Sequence, residues 1–158
     1  MRSSLRAAFF AALGLALPGA AGAVVTFSAV LAGDTAVPPT NSQAVGSAVF
    51  VLEDTNEFTY QVDLRGTLSG PETGCSINGP ASARETAPIL YTLPLGGHKE
   101  GSVGVLTDLE ISQLMDGRWY CNLMTQSYPG GEIRCQIENV TANPARTWAA
   151  VKALYRGR

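Results

Sequence analysis

The sequence predicts an all-β domain, an antiparallel sandwich or barrel, and three observations carry that prediction. Apolar residues recur at every second position in a series of short runs, the mark of strands with one buried face. Seven or eight such runs are separated by polar or Gly/Pro turns. The 158 residues include 17 glycines and 9 prolines, a content that suits tight turns and not a helical bundle.

The remaining composition narrows the class. The length fits one domain. With 46% hydrophobic and 15% charged residues, the chain has enough apolar side chains to build a core. One histidine excludes a His-rich metal site, and three cysteines exclude a four-Cys zinc site. Eleven Lys and Arg against 13 Asp and Glu leave no general nucleic-acid footprint.

Residues 1–23 read as a secretory signal peptide. Arg2 and Arg6 give a positive start, residues 7–17 are apolar, Pro18 breaks the run, and Ala21-Gly22-Ala23 offers a small-x-small cleavage site. The apolar run is too short to span a membrane, which takes about 20 residues. Cleavage after Ala23 leaves 9 basic against 13 acidic residues. All 13 acids lie in residues 24–140, the expected domain, whereas residues 141–158 carry Arg146, Lys152, Arg156 and Arg158 and no acid. An acidic body therefore bears a basic tail. Asn143-Pro144 suits a helix start, and Trp148, Val151 and Tyr155 share one face of the helix predicted there. Docking of that tail on its own domain, or plain solubility, is the favoured expectation, with attachment to an acidic partner or to anionic lipid at a membrane surface as the alternative. Asn139-Val140-Thr141 has the glycosylation acceptor pattern.

Within the domain, Val25, Phe27, Ala29 and Leu31 alternate with smaller or polar neighbours. Ala48, Phe50 and Leu52 alternate, and so do Phe58, Tyr60, Val62 and Leu64. Glu53-Asp54-Thr55-Asn56 between them predicts a hairpin. Further strands are expected around Cys75 and Ile77, over 89–93 and over 102–106. Thr107 and Glu110 form a capping box ahead of Leu109, Ile111, Leu114 and Met115. Gly117 stands where a left-handed cap ends such a helix. A final hairpin, residues 118–140, turns at Pro129-Gly130-Gly131.

Taken together, several segments resemble the CHRD domain family. LAGDTAVPPTNSQAVGSAVFVLE is similar to the family's opening, where Val-Pro-Pro precedes a Gly-x-Ala-x-Phe strand. SINGPA resembles the family's His-Ile-His-Gly-Pro-Ala, and APILYTL resembles the strand that follows. VLTDLEISQLMDGRWYCNLMTQSYPGGEIRCQI resembles the closing block with its Pro-Gly-Gly-Glu-Ile-Arg run. The resemblance covers about residues 25–138. It implies an immunoglobulin-like or barrel-like module of secreted proteins and no settled activity. The departures are specific. The family's two histidines before Gly-Pro correspond to Ser76 and Asn78, its third histidine to Met124, and its acidic residue before Val-Pro-Pro to Ala36. Metal or proton chemistry built on those imidazoles is therefore not expected here.

Strand alternation turns all three thiols inward and puts Ser76, Asn78, Asn122, Met124, Glu132 and Arg134 on an outer face, if their strands are neighbours. That face is expected to be a solvated sheet surface or, functionally, a recognition patch. Glu132 and Arg134 are expected to pair with each other or across the sheet. A hairpin centred on Tyr128 sets Cys121 opposite Cys135, where a disulfide is feasible in an oxidising compartment. A bridge using Cys75, or three free thiols, stays open. Cys121, Cys135 and Met124, with His98 from the loop 96–99, form the donor set of an alternative copper- or redox-active reading. A catalytic triad would have to use His98, no serine sits in a Gly-x-Ser-x-Gly elbow, and Glu72 and Glu85 are expected to be solvated loop carboxylates. The chain thus reads as a secreted, non-catalytic module, extracellular or periplasmic, without cofactor, that binds or scaffolds extracellular or envelope components. Intact-mass and N-terminal analysis of the exported protein should find Val24 as its first residue; a product retaining residues 1–23 would contradict this reading.

Overall fold

The computed structural model describes residues 24–138. The expected leader, Asn139 and the basic tail with its helix lie outside the described residues. Eight strands and one helix follow in chain order: β1 (Val25–Leu31), β2 (Val45–Leu52), β3 (Glu57–Arg65), β4 (Glu72–Asn78), β5 (Ile89–Leu93), β6 (His98–Val105), α1 (Asp108–Met115), β7 (Trp119–Thr125) and β8 (Ile133–Ile137). They form two four-stranded antiparallel sheets, ordered β1-β2-β3-β6 and β5-β4-β7-β8. The arrangement is a sandwich and not a closed barrel. The sheets meet along one edge, where Ala32 and Arg134 exchange two backbone hydrogen bonds of 3.1 Å.

The alternation works as the sequence indicates. Phe27, Leu31, Ala48, Phe50, Leu52, Phe58 and Val62 face inward from the first sheet, and Cys75, Ile77, Trp119, Cys121, Leu123, Ile133, Cys135 and Ile137 from the second. Phe58 centres the aromatic packing: it stacks on Phe50 at 5.8 Å and meets Trp119 edge-on at 5.8 Å. The β2–β3 turn closes through a hydrogen bond from the Glu53 amide to the Glu57 carbonyl.

The helix follows its sequence signals closely. Thr107 caps it, and the Glu110 side chain returns the bond to the Thr107 backbone. At the other end Gly117 adopts φ 68, and the amides of Gly117 and Arg118 bond back to Leu114 and Gln113. Of its apolar residues only Leu114 is fully buried and Ile111 packs beside the core, whereas Leu109 is exposed. The helix is thus a plug with a narrow apolar stripe.

One boundary differs from the sequence reading. The segment 96–99 is not simply a loop, because His98 and Lys99 begin β6 and pair with Asp63 and Val62 of β3. Lys99 stands at an inward position and is buried. Its Nζ lies 2.9 Å from Glu72 Oε1 and also donates to the Gly96 carbonyl, which completes the burial of a charge. Glu72 is accordingly a nearly buried ion-pair partner in β4 and not a solvated loop carboxylate.

Because Trp119 joins both sheets, Trp119→Ala should cost about 3–5 kcal/mol of unfolding free energy. Thr107→Ala, which removes only the cap, should cost about 1 kcal/mol. Urea unfolding of both variants checks the ranking.

Candidate functional site

The three strands that carry the motif residues are neighbours, in the order β4-β7-β8. Their register lays the outer-face side chains in rungs. Ser76 lies opposite Asn122, and Asn122 opposite Arg134. The next rung is Asn78, Tyr120 and Gln136. Met124 lies opposite Gly74, with Glu132 just before β8.

This outer face is not solvated. Ser76, Asn78, Asn122, Glu132 and Arg134 are all buried, and only Met124 is partly exposed. The six residues therefore do not form an open patch. Three connections fold over them: residues 32–44 between β1 and β2, residues 66–71 between β3 and β4, and residues 79–88 between β4 and β5. Such segments carry no hydrophobic period, so alternation alone could not reveal the cover.

The cover is held by the two charged residues, which do not pair with each other. The Glu132 carboxylate accepts from Ser42 Oγ at 2.6 Å, from the Ser69 amide at 2.8 Å and from Thr125 Oγ1 at 2.7 Å. Thr40 Oγ1 donates to the Glu132 carbonyl at 2.7 Å. Burial works to raise the Glu132 pKa, but these hydrogen bonds prevail and hold its carboxyl below the usual carboxylate value. Arg134 donates from Nη1 to the Glu85 carbonyl at 2.8 Å. From Nη2 it donates to the Ser82 carbonyl at 3.1 Å and to Gln136 Oε1 at 3.0 Å. Its guanidinium lies 3.5 Å from the centre of the Tyr120 ring. Burial lowers its pKa, yet a guanidinium stays charged in proteins. Tyr120 Oη accepts from the Ala87 amide at 2.9 Å, and Asn78 Nδ2 donates to the Ala87 carbonyl at 3.1 Å.

The Pro-Gly-Gly turn belongs to the same construction. Asn122 Nδ2 donates to the Gly130 carbonyl at 3.1 Å. Gly131 adopts φ 135, and a Cβ there would stand 2.2 Å from Asn122 Oδ1. Only glycine fits. Ser76 Oγ donates to Asn78 Oδ1 at 2.7 Å, so the positions that correspond to the family's histidines hold a neutral internal hydrogen bond.

Between residues 32–44 and 79–88 a cleft of about 550 Å³ remains. Arg134 and Gln136 form its floor, with Ala36, Val37 and Pro39 on one wall and Arg84 on the other. Arg134 is thus the member of the expected set that lines this cleft. Arg84 was beyond the reach of the sequence reading, since a lone arginine in an irregular loop carries no periodic signal.

The other candidate donors are dispersed. Cys75, Cys121 and Cys135 point inward, and Met124 points outward from the opposite face of β7. His98 lies on the other sheet. Its Nδ1 is 2.6 Å from Asp63 Oδ1 and its Nε2 is 3.5 Å from Glu100 Oε2. The hydrogen bond to Asp63 raises the His98 pKa above its usual value. The copper donor set is therefore not assembled, and His98 pairs with Asp63 and Glu100 at the start of β6. The hairpin register does set Cys121 opposite Cys135. No disulfide joins them: all three cysteines are free, with Cys75 Sγ 3.9 Å from Cys121 Sγ. The thiol–thiol contact and then burial raise the Cys75 pKa, and the contact with Cys135 leads in raising that of Cys121. Both stay protonated and weakly nucleophilic. Glu85, the second flanking carboxylate, is exposed and accepts from the Ser82 amide and hydroxyl, which shapes the loop that Arg134 grips.

Glu132 generates a pH prediction. Its folded pKa is depressed from 4.5, so its contribution is fully present above that value and is lost as pH falls through the lower folded value. Asp63, Glu85 and Glu110 are also held low and act in both proteins compared. Glu132→Gln should therefore lose about 2–3 kcal/mol at neutral pH, and the gap to wild type should close as pH falls below 4.5. Urea midpoints across the acid range measure it; a gap independent of pH would contradict the assignment.

Comparison with known proteins fits this geometry. A family model, the CHRD domain, matches residues 27–137. Chordin of Xenopus laevis is 28% identical over 115 residues, covering 71% of this chain and 12% of its own length. Chordin of Danio rerio is 29% identical over 121 residues, covering 75% of this chain and 13% of its own length. The chain thus spans about an eighth of the curated relatives it matches. No solved structure matches at a significant level. The β-sandwich, with its motif residues gathered beneath the loops that cover one sheet, belongs to the CHRD domain family.

Proposed function

We propose that the protein is an exported, non-catalytic binding module that recognises another extracellular or envelope protein through the loops covering the β5-β4-β7-β8 sheet. The single observation that carries this reading is the cleft between residues 32–44 and 79–88. There, Arg134 and Gln136 of the motif-bearing face line the cleft, and the other polar groups of that face are taken up by internal hydrogen bonds. Such groups support a rigid recognition surface and leave no activated nucleophile or base beside it.

The same reading takes residues 1–23 as a cleaved leader and residues 141–158 as a basic tail resting on the acidic domain. Export would expose the thiols to oxidising conditions. Cys121, next to both other cysteines, would then be the natural member of a single bridge, with Cys135 as the partner the hairpin register favours. Among the described residues, no helix is long and apolar enough to cross a membrane.

Filling the cleft tests the reading. Ala83 is exposed on the cleft wall, so Ala83→Trp should leave the unfolding midpoint in place while occupying the cleft. Immobilised wild-type protein should retain a specific component of the native extracellular or periplasmic fraction, and Ala83→Trp should retain at least about tenfold less. Equal retention by both would remove the loops as the recognition surface.

A further inference from the structure

We infer that the cleft between residues 32–44 and 79–88 is a carboxylate-recognition site that receives an acidic side chain of a partner polypeptide, flanked by an apolar residue. This rests on the binding-module reading and adds the chemistry of what is bound.

The floor carries the argument. Arg134 is 2% exposed, and among the described residues no carboxylate forms an ion pair with it. Its protein partners are two carbonyls, an amide oxygen and the Tyr120 ring. All are neutral. Three of its five N–H donors are engaged, while Nε–H and one Nη1–H have no acceptor among the described residues. A buried cation held in place by neutral oxygens keeps its charge uncompensated, and an incoming anion supplies what the fold omits. The rotamer is already fixed by the ring beneath it and the carbonyls around it, so little conformational freedom is lost on binding.

The walls select among anions. Arg84 adds a second cation without an ion pair among the described residues, and Asp34 adds one carboxylate to the lining. Together with Arg134 the lining carries one net positive charge, which matches a single carboxylate better than a phosphate dianion. The acidic body of the domain likewise repels polyanions at long range. Ala36, Val37, Pro39 and Ala83 offer apolar surface beside the guanidinium. That surface gains from an apolar neighbour of the bound acid and gives nothing to a bare inorganic ion. The volume of about 550 Å³ suits a short peptide segment or small ligand.

The test uses the full exported chain, ¹⁵N-labelled, with three probes: the blocked peptide Val-Glu-Val, its isostere Val-Gln-Val, and isovalerate. The Glu peptide should shift the amides of Arg84, Arg134 and Gln136 and bind at least about tenfold tighter than the Gln peptide. Arg84→Gln, at an exposed position with no structural bonds to lose, should weaken the Glu peptide about tenfold at an unchanged unfolding midpoint. Arg134 variants are set aside because they unpin the loop.

Equal affinity for the Glu and Gln peptides, or no shifts at millimolar Glu peptide, would overturn the carboxylate assignment. Isovalerate binding as tightly as the Glu peptide would overturn the polypeptide source in favour of a small organic acid. Peptide discrimination without any protein retained from the native fraction would leave this site standing and remove the protein-binding reading. A retained partner indifferent to Arg84→Gln would do the reverse.

Discussion

Two ionised side chains, Glu132 just before β8 and Arg134 on its outer side, govern the architecture. An effective cost of several kcal/mol attends each ion taken from water, and a charge-assisted hydrogen bond returns about 1.5–3 kcal/mol. Neither residue can lie under a loop unless that loop supplies several such bonds. Residues 32–44 and 66–71 supply them to Glu132 through Ser42 and Ser69, and residues 79–88 supply them to Arg134 through Ser82 and Glu85. The loops are therefore specified by the charges they cover, and the cleft between them is what remains where two separately anchored segments fail to meet.

The same strand parity divides the chemistry of the domain. On β7, Cys121 and Leu123 face the sandwich interior while Tyr120, Asn122 and Met124 face the loops. Sulfur and polar groups thus lie on opposite sides of a sheet. The thiols belong to the packed interior, where mutual contact and burial keep Cys75 and Cys121 protonated. The polar groups belong to the covered outer face, where Arg134 lines the cleft. This separation explains why donors that look close in the sequence do not converge.

Much of this was legible in the residues. Period-2 alternation gave the strands and their inward faces, Thr107 with Glu110 gave the helix start, and a turn centred on Tyr128 gave the Cys121–Cys135 register. These signals are local, and local sequence records them. The burial of the outer face was not legible, because it arises from irregular segments whose contacts span as many as 99 positions or more, as between Thr35 and Arg134. The burial of Lys99 escapes the sequence for a related reason. A lysine at an inward position looks like a loop residue until Glu72, from a different strand, is found beside it. Arg84 carries meaning only once Arg134 lies across the cleft from it.

If buried charge holds the loops down, their anchored amides should be as protected as those of the strands. Native-state hydrogen exchange of Ser69, whose amide donates to Glu132, and of Ala87, whose amide donates to Tyr120 Oη, measures this directly. Both should exchange only through global unfolding, at the free energy of Cys121 in β7, and Glu132→Gln should release Ser69 alone. Exchange of the wild-type Ser69 and Ala87 amides at the rate of an open loop would contradict the account.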